Sequence, residues 1–168
     1  MQKILTIKNK LLSVRGEMLF LNEADREIYS AKGEFSFINP TWTLLKGQHE
    51  IARIKRKLWS WSSKYMLETK QTSFELKRKS WSWTRKYLVL GGYFNGAVIT
   101  GGFWDTSFEI VHRGKIIVKG DNELLSLRDT CHVTFYDDNQ LDDLAAILVA
   151  MRLDKKSDDS GGAAGGGD

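Results

Sequence analysis

At 168 residues, with 42% hydrophobic and 27% charged residues, the chain can bury one substantial core and falls in the ordinary soluble composition class. No stretch approaches the roughly 18 to 20 apolar residues of a membrane-spanning helix, and a single cysteine, Cys131, excludes an internal disulfide and fits a reducing, cytoplasmic compartment. The net charge of +4 hides an asymmetry, because residues 1–136 carry +9 and residues 137–168 carry −5.

The opening "MQKILTIKNKLLSV" is basic, but Lys8, Asn9 and Lys10 interrupt any signal-peptide core. From there a serine between large apolar residues recurs along the chain. It stands in "LLSVRGEM" at Ser13, "EFSFIN" at Ser36, "LWSWSSKY" at Ser60, "SWSWTRKY" at Ser82 and "LLSLRDTC" at Ser126. The intervals are 23, 24, 22 and 44, and "GFWDTSFEI" around Trp104 fills the double gap as a degenerate copy. Six units at a fixed period mean a repetitive architecture.

Within each unit the pattern is β. "FELKRK" alternates Phe74 and Leu76 with Glu75, Lys77 and Lys79, and "KYMLE" and "KYLVL" are short runs of strand-favouring residues. Turn chemistry separates the runs at "NEADRE" (22–27), "KGQ" (46–48), "KQT" (70–72), "GGYFNG" (91–96), "RGK" (113–115) and "GDN" (120–122). Two strands per unit over six units predict about twelve antiparallel strands, interrupted by only one proline, Pro40. The serine motifs fall where one strand gives way to the next, where a hydroxyl can satisfy turn backbone and the flanking apolar pair shares one face.

After "HVTFYDD" the period changes. "NQLDDLAAILVAMRL" predicts a helix over about 139–153, with Asp138 or Asn139 as N-cap and Asp142 and Asp143 in its first turn. Its middle, "LAAILVAM", is apolar all round, so it must be surrounded on every side. At about 20 Å it is too short to cross a bilayer. A hydrophobic helix threaded through a closed β-barrel meets both demands, and a barrel of about twelve strands is too wide for side chains alone to fill. The expected organisation is a barrel domain over 1–154 and a disordered, low-complexity tail over 155–168.

A closed antiparallel barrel around a C-terminal apolar helix resembles the tubby C-terminal-like superfamily. The ordered set "KLWSWSSKY", "KSWSWTRKY", "LLSLRDTCHVTF" and "DDLAAILVAMRLD" is similar to its LURP-one-related branch, over about residues 1–154. That superfamily includes phosphoinositide-binding tubby-like proteins and phospholipid scramblases, so the resemblance implies a link to phospholipid. This sequence has neither the proline-rich arm nor the cysteine cluster of scramblases, and "YDDNQLDDL" lacks the D-x-[DN]-x-[DN]-G spacing of a calcium loop.

Catalytic signatures are missing. His49, His112 and His132 stand at no ligand spacing, and no nucleophile elbow, P-loop or zinc pattern occurs. Cys131 and His132 are adjacent, which on a strand sends them to opposite faces. The expectation is a protein that is not an enzyme and uses no cofactor or metal.

What remains is a basic, Trp-rich face. Lys46 to Leu90 holds 12 basic residues against Glu50, Glu68 and Glu75. The candidate site is Arg56, Lys57, Trp59, Trp61 and Lys64 from one copy and Arg78, Lys79, Trp81, Trp83, Arg85 and Lys86 from the next. Trp beside Lys or Arg is the composition of a membrane-interface anchor, which points to anionic lipid head groups or a membrane-associated partner, with the protein peripheral at the membrane. The same residues suit nucleic acid or an acidic protein, and scramblase-like lipid handling is the remaining functional alternative. A structural reading also stands: the tryptophans occupy the slots of Leu12/Val14 and Leu125/Leu127, so they serve equally well as barrel-end caps, with the cations a solvated strand face.

Overall fold

The computed structural model describes residues 2–10, 16–34, 41–57, 63–79, 84–101, 107–122 and 130–161. Twelve strands precede one helix. They are β1 (Lys3–Lys10), β2 (Glu17–Leu21), β3 (Glu27–Gly33), β4 (Thr41–Lys46), β5 (His49–Lys57) and β6 (Lys64–Thr69), then β7 (Ser73–Arg78), β8 (Lys86–Leu90), β9 (Val98–Thr100), β10 (Ser107–His112), β11 (Lys115–Asn122) and β12 (Thr130–Phe135). The helix α1 spans Leu141–Gly161. Each strand pairs antiparallel with its sequence neighbours, and β1 closes the barrel on β12, from Lys3 opposite Phe135 to Lys8 opposite Thr130.

This topology explains the repeat. Each unit is one odd and one even strand. All six serine-motif segments link an odd strand to the following even one, so the strand ends flanking them gather at one mouth of the barrel. The polar turns gather at the opposite mouth. The motif residues themselves, including Trp59, Trp61, Trp81, Trp83 and the degenerate copy at Trp104, lie outside the described residues.

The inner wall follows the period-2 alternation. Leu5 and Ile7, Met18 and Phe20, Tyr65 and Leu67, Tyr87 and Val89, and Cys131 and Val133 are all buried and point inward, while the residues between them, Thr6, Leu19, Met66, Leu88 and His132, are half-buried and face out. The helix fills what they leave. Every residue from Leu144 to Met151 is at most 1% exposed, so the apolar girdle is covered on all sides, and α1 packs closest to β4, β5 and β6.

Two expectations need correction. The helix continues through Gly161, beyond the predicted end at 153. The remaining residues, 162–168, lie outside the described set. In addition, "GDN" at 120–122 is no turn but the end of β11. Gly120 is there because the buried ring of Phe108, on β10, lies directly against it, opposite in the ladder; a Cβ at Gly120 would overlap ring atoms Cε1, Cζ and Cδ1.

The helix start also differs in detail. α1 begins at Leu141, and the Gln140 carbonyl accepts from the amides of Asp143 (3.1 Å) and Leu144 (3.2 Å), so neither Asp138 nor Asn139 holds the N-cap position. Asn139 instead donates its backbone and side-chain nitrogens to Asp137 Oδ1, at 3.0 and 2.8 Å. Asp142 and Asp143 do stand in the first turn, where the helix dipole favours them.

Cys131 points into the barrel, and burial, with Asp121 adding repulsion, pushes its thiol up to about 12. Native protein at mildly alkaline pH is therefore expected to resist a thiol-disulfide reagent, with one thiol becoming reactive on unfolding. Rapid native labelling would show that the barrel opens locally.

Candidate functional site

The eleven basic and aromatic residues marked by the sequence divide once the barrel forms. Strand alternation sends Lys57, Lys64 and Lys86 to the outer wall, since Tyr65 and Tyr87 beside the latter two are buried. Lys79, just beyond β7, donates its amide to the Lys86 carbonyl at 2.8 Å, which continues the ladder between these two lysines. Arg56, Arg78 and Arg85 have the opposite phase: Arg56 follows Ala52 and Ile54, Arg78 follows Phe74 and Leu76, and Arg85 precedes Tyr87 and Val89. The four tryptophans, in segments 58–62 and 80–83, fall outside the described residues.

On the outer wall Lys57, Lys64 and Lys77 stand directly opposite one another across β5, β6 and β7. Directly opposed residues have Cβ atoms about 5 Å apart. Lys77, which the sequence reading placed on the outward phase but left out of the site, sits at the row's far end. Glu75, one step along β7, takes a 2.6 Å bond from Lys57. That bond holds the Glu75 carboxyl below the usual range despite some burial, and Lys64 and Lys77 add to the effect. Lys55 is matched by Glu68 at 3.0 Å. Moving toward the serine-motif mouth, carboxylates run out while Lys57, Lys64, Lys77, Lys79 and Lys86 continue. The outer edge of that mouth is therefore cationic over β5 to β8, whereas Glu17, Glu34 and Asp121 stand at strand ends elsewhere around it.

Arg78 serves the interior. Asp154, fully buried near the motif mouth, accepts from Tyr87 Oη at 2.8 Å, Tyr65 Oη at 3.2 Å and Arg78 Nη1 at 3.1 Å. Burial first, then Asp154, raises the Tyr87 hydroxyl far above its ordinary value, while Arg78 and Arg85 oppose the shift. Tyr65 and Tyr87 are repeat equivalents 22 residues apart, and this spacing is the signal that could have located the cluster.

At the opposite mouth, Tyr29 Oη donates to Asp142 Oδ1 at 2.7 Å, and Lys46 Nζ lies 3.4 Å from the same oxygen and 5.5 Å from the Tyr29 ring centre. Burial raises the Asp143 carboxyl, with a hydrogen bond to Thr69 opposing the shift. An open cleft of about 340 Å³ lies here among Lys46, Thr69, Lys70, Gln71, Asp142 and Asp143. Its charges are of both signs and partly paired, which makes it a poor anion site. Among the described residues no group of three or more His, Cys, Asp and Glu side chains could hold a metal ion, and no helix is long and apolar enough to cross a membrane. Cys131 faces inward, while His132 Nδ1 meets Thr6 Oγ1 at 3.2 Å.

A twelve-stranded antiparallel barrel threaded by one helix, with a lysine-rich sector over β5 to β8 at one mouth, is the class that fold and surface define. A family model described as LURP-one-related matches residues 3–152, and the chain belongs to that family. No curated protein and no solved structure gives a significant match.

Proposed function

We propose that this LURP-one-related barrel is a non-catalytic module that binds anionic phospholipid head groups. The observation that carries the reading is the in-register row Lys57–Lys64–Lys77, continued by Lys79 and Lys86 at the mouth where both Trp-Ser-Trp segments join their strands. Each lysine near an anionic leaflet contributes about 1 kcal/mol. Five in one patch support reversible, salt-sensitive docking.

The test is co-sedimentation with neutral and phosphatidylserine-containing vesicles at about 50 and 200 mM salt, a range over which exposed charge contacts weaken. The expected result is anionic-selective binding that weakens with salt. Lys57→Gln with Lys64→Gln and Lys77→Gln should weaken it by about a hundredfold, from about 1 kcal/mol per charge, while leaving unfolding unchanged. Equal binding to neutral vesicles, or displacement by a matched oligonucleotide, would overturn the proposal; the latter would favour nucleic acid.

A further inference from the structure

The lysine row does not end at Lys77. On the next strand Lys77 stands opposite Leu88, Leu88 opposite Val98, Val98 opposite Val111, and Val111 opposite Ile116. A single cross-strand row on the outer wall thus passes from three lysines to four aliphatic residues. All four lie on the solvent side. Leu88, Val98 and Val111 are half-buried by their neighbours, and Ile116 is 45% exposed. Leu90, two residues along β8 from Leu88 and opposite Glu75, widens the strip and is 37% exposed.

An outer wall facing only water alternates apolar inside with polar outside. Strands β5 to β7 follow this at Arg53, Lys55, Lys57, Lys64, Glu75 and Lys77, with Met66 as a single outward apolar residue. Strand β8 obeys it at Lys86 and then places leucine at its next two outward positions. Scattered exposed aliphatics need no explanation, but an aligned block across four strands marks a contact surface. Its occupant is argued from the flank: Lys77 and Lys86 border the block on two sides, while the bordering carboxylates face cations, Glu75 bonded to Lys57 and Glu109 opposite Lys119. Lysines beside aliphatics match the layered chemistry of an anionic leaflet, with head-group phosphate beside acyl chain.

We infer that the wall of β8 to β10, through Leu88, Leu90, Val98 and Val111, enters the acyl boundary of an anionic membrane while Lys77 and Lys86 hold its head groups. This inference rests on the lipid-binding reading and adds an apolar half to a site so far described as cationic. Binding then has a component that salt does not remove.

The experiment compares the full chain with a variant carrying Leu88→Thr, Leu90→Thr, Val98→Thr and Val111→Thr. Threonine keeps the strand preference, and Cys131 protection reports an intact barrel. Binding to phosphatidylserine-containing vesicles at high salt should fall by about tenfold or more from the lost apolar burial, and the pressure rise of a lipid monolayer should vanish. As a second measurement, Leu90→Cys carrying an environment-sensitive dye should be quenched by nitroxides on acyl chains. A threonine variant that binds and inserts normally, while the lysine variant fails, would overturn the inference and leave the cationic reading standing. No binding by the unaltered chain would remove both. A dimer abolished by the threonine changes, with vesicle binding intact, would assign the block to a second copy of this chain and overturn the inference.

Discussion

Asp154→Ala is expected to lower stability by about 4 kcal/mol, because removing the buried carboxylate of an ion pair takes its acceptor oxygens from several donors at once. Three donors converge on this carboxylate: Tyr65 Oη, Tyr87 Oη and Arg78 Nη1. Asp154 is fully buried, while Arg78 keeps 28% of its side chain exposed. The guanidinium thus retains part of its hydration when its partner goes, while the buried Tyr87 hydroxyl loses the acceptor to which it donates. Each buried group left unsatisfied costs about 1 to 3 kcal/mol. Replacing the whole constellation should recover most of the loss, since a buried polar cluster exchanged for apolar residues of similar volume is often neutral. That variant is Asp154→Leu with Arg78→Met, Tyr65→Phe and Tyr87→Phe. Urea unfolding of both proteins decides the matter. A loss below about 1 kcal/mol for Asp154→Ala would mean that water already satisfies the donors.

The second large effect is expected from the smallest substitution. Gly120→Ala places a methyl inside the Phe108 ring, which is itself 1% exposed and hemmed by the filled barrel. Overpacking of this kind costs about 3 kcal/mol, and for a chain of this size that lowers Tm by about 6 to 12 °C. A smaller partner should relieve it. In a Phe108→Leu background the same Gly120→Ala change should cost under about 1 kcal/mol, because the two residues share one space and their effects do not add. Equal costs in both backgrounds would show that the ring moves aside freely.

The barrel and its plug were legible because two different periods are written plainly. Alternation in "FELKRK" and "KYLVL" gives strands, the six-fold recurrence near 22 residues counts them, and the all-round apolar run at 144–151 demands an enclosed helix. Two of the misreadings share a cause: each needed a partner far away in the chain. Gly120 reads locally as a turn residue, and only Phe108 across the ladder makes it a strand residue. Arg78 reads as one more cation in "KRK", yet it shares its phase with Phe74 and Leu76 and meets Asp154, which is 76 residues on. Grouping Arg78 with the lysines by charge alone concealed that it serves the interior while they stand on the outer wall. The outer aliphatic block was hidden for the same reason, because Leu88, Val98, Val111 and Ile116 form a row only through register.

The order of elements also constrains how the molecule comes into being. Each hairpin can pair with its predecessor as it leaves the ribosome, so a curved sheet grows strand by strand. That sheet has a free edge at β1 and an apolar inner face with nothing to cover it, because α1 follows β12 in the chain. Closure must join β1 to β12 around a helix that is synthesised after both, a contact between distant segments that forms slowly. Until then the nascent chain presents an open edge and a bare concave surface, the two features that draw other chains into aggregates. Arrival of the helix is thus the event that commits a growing sheet to its final form.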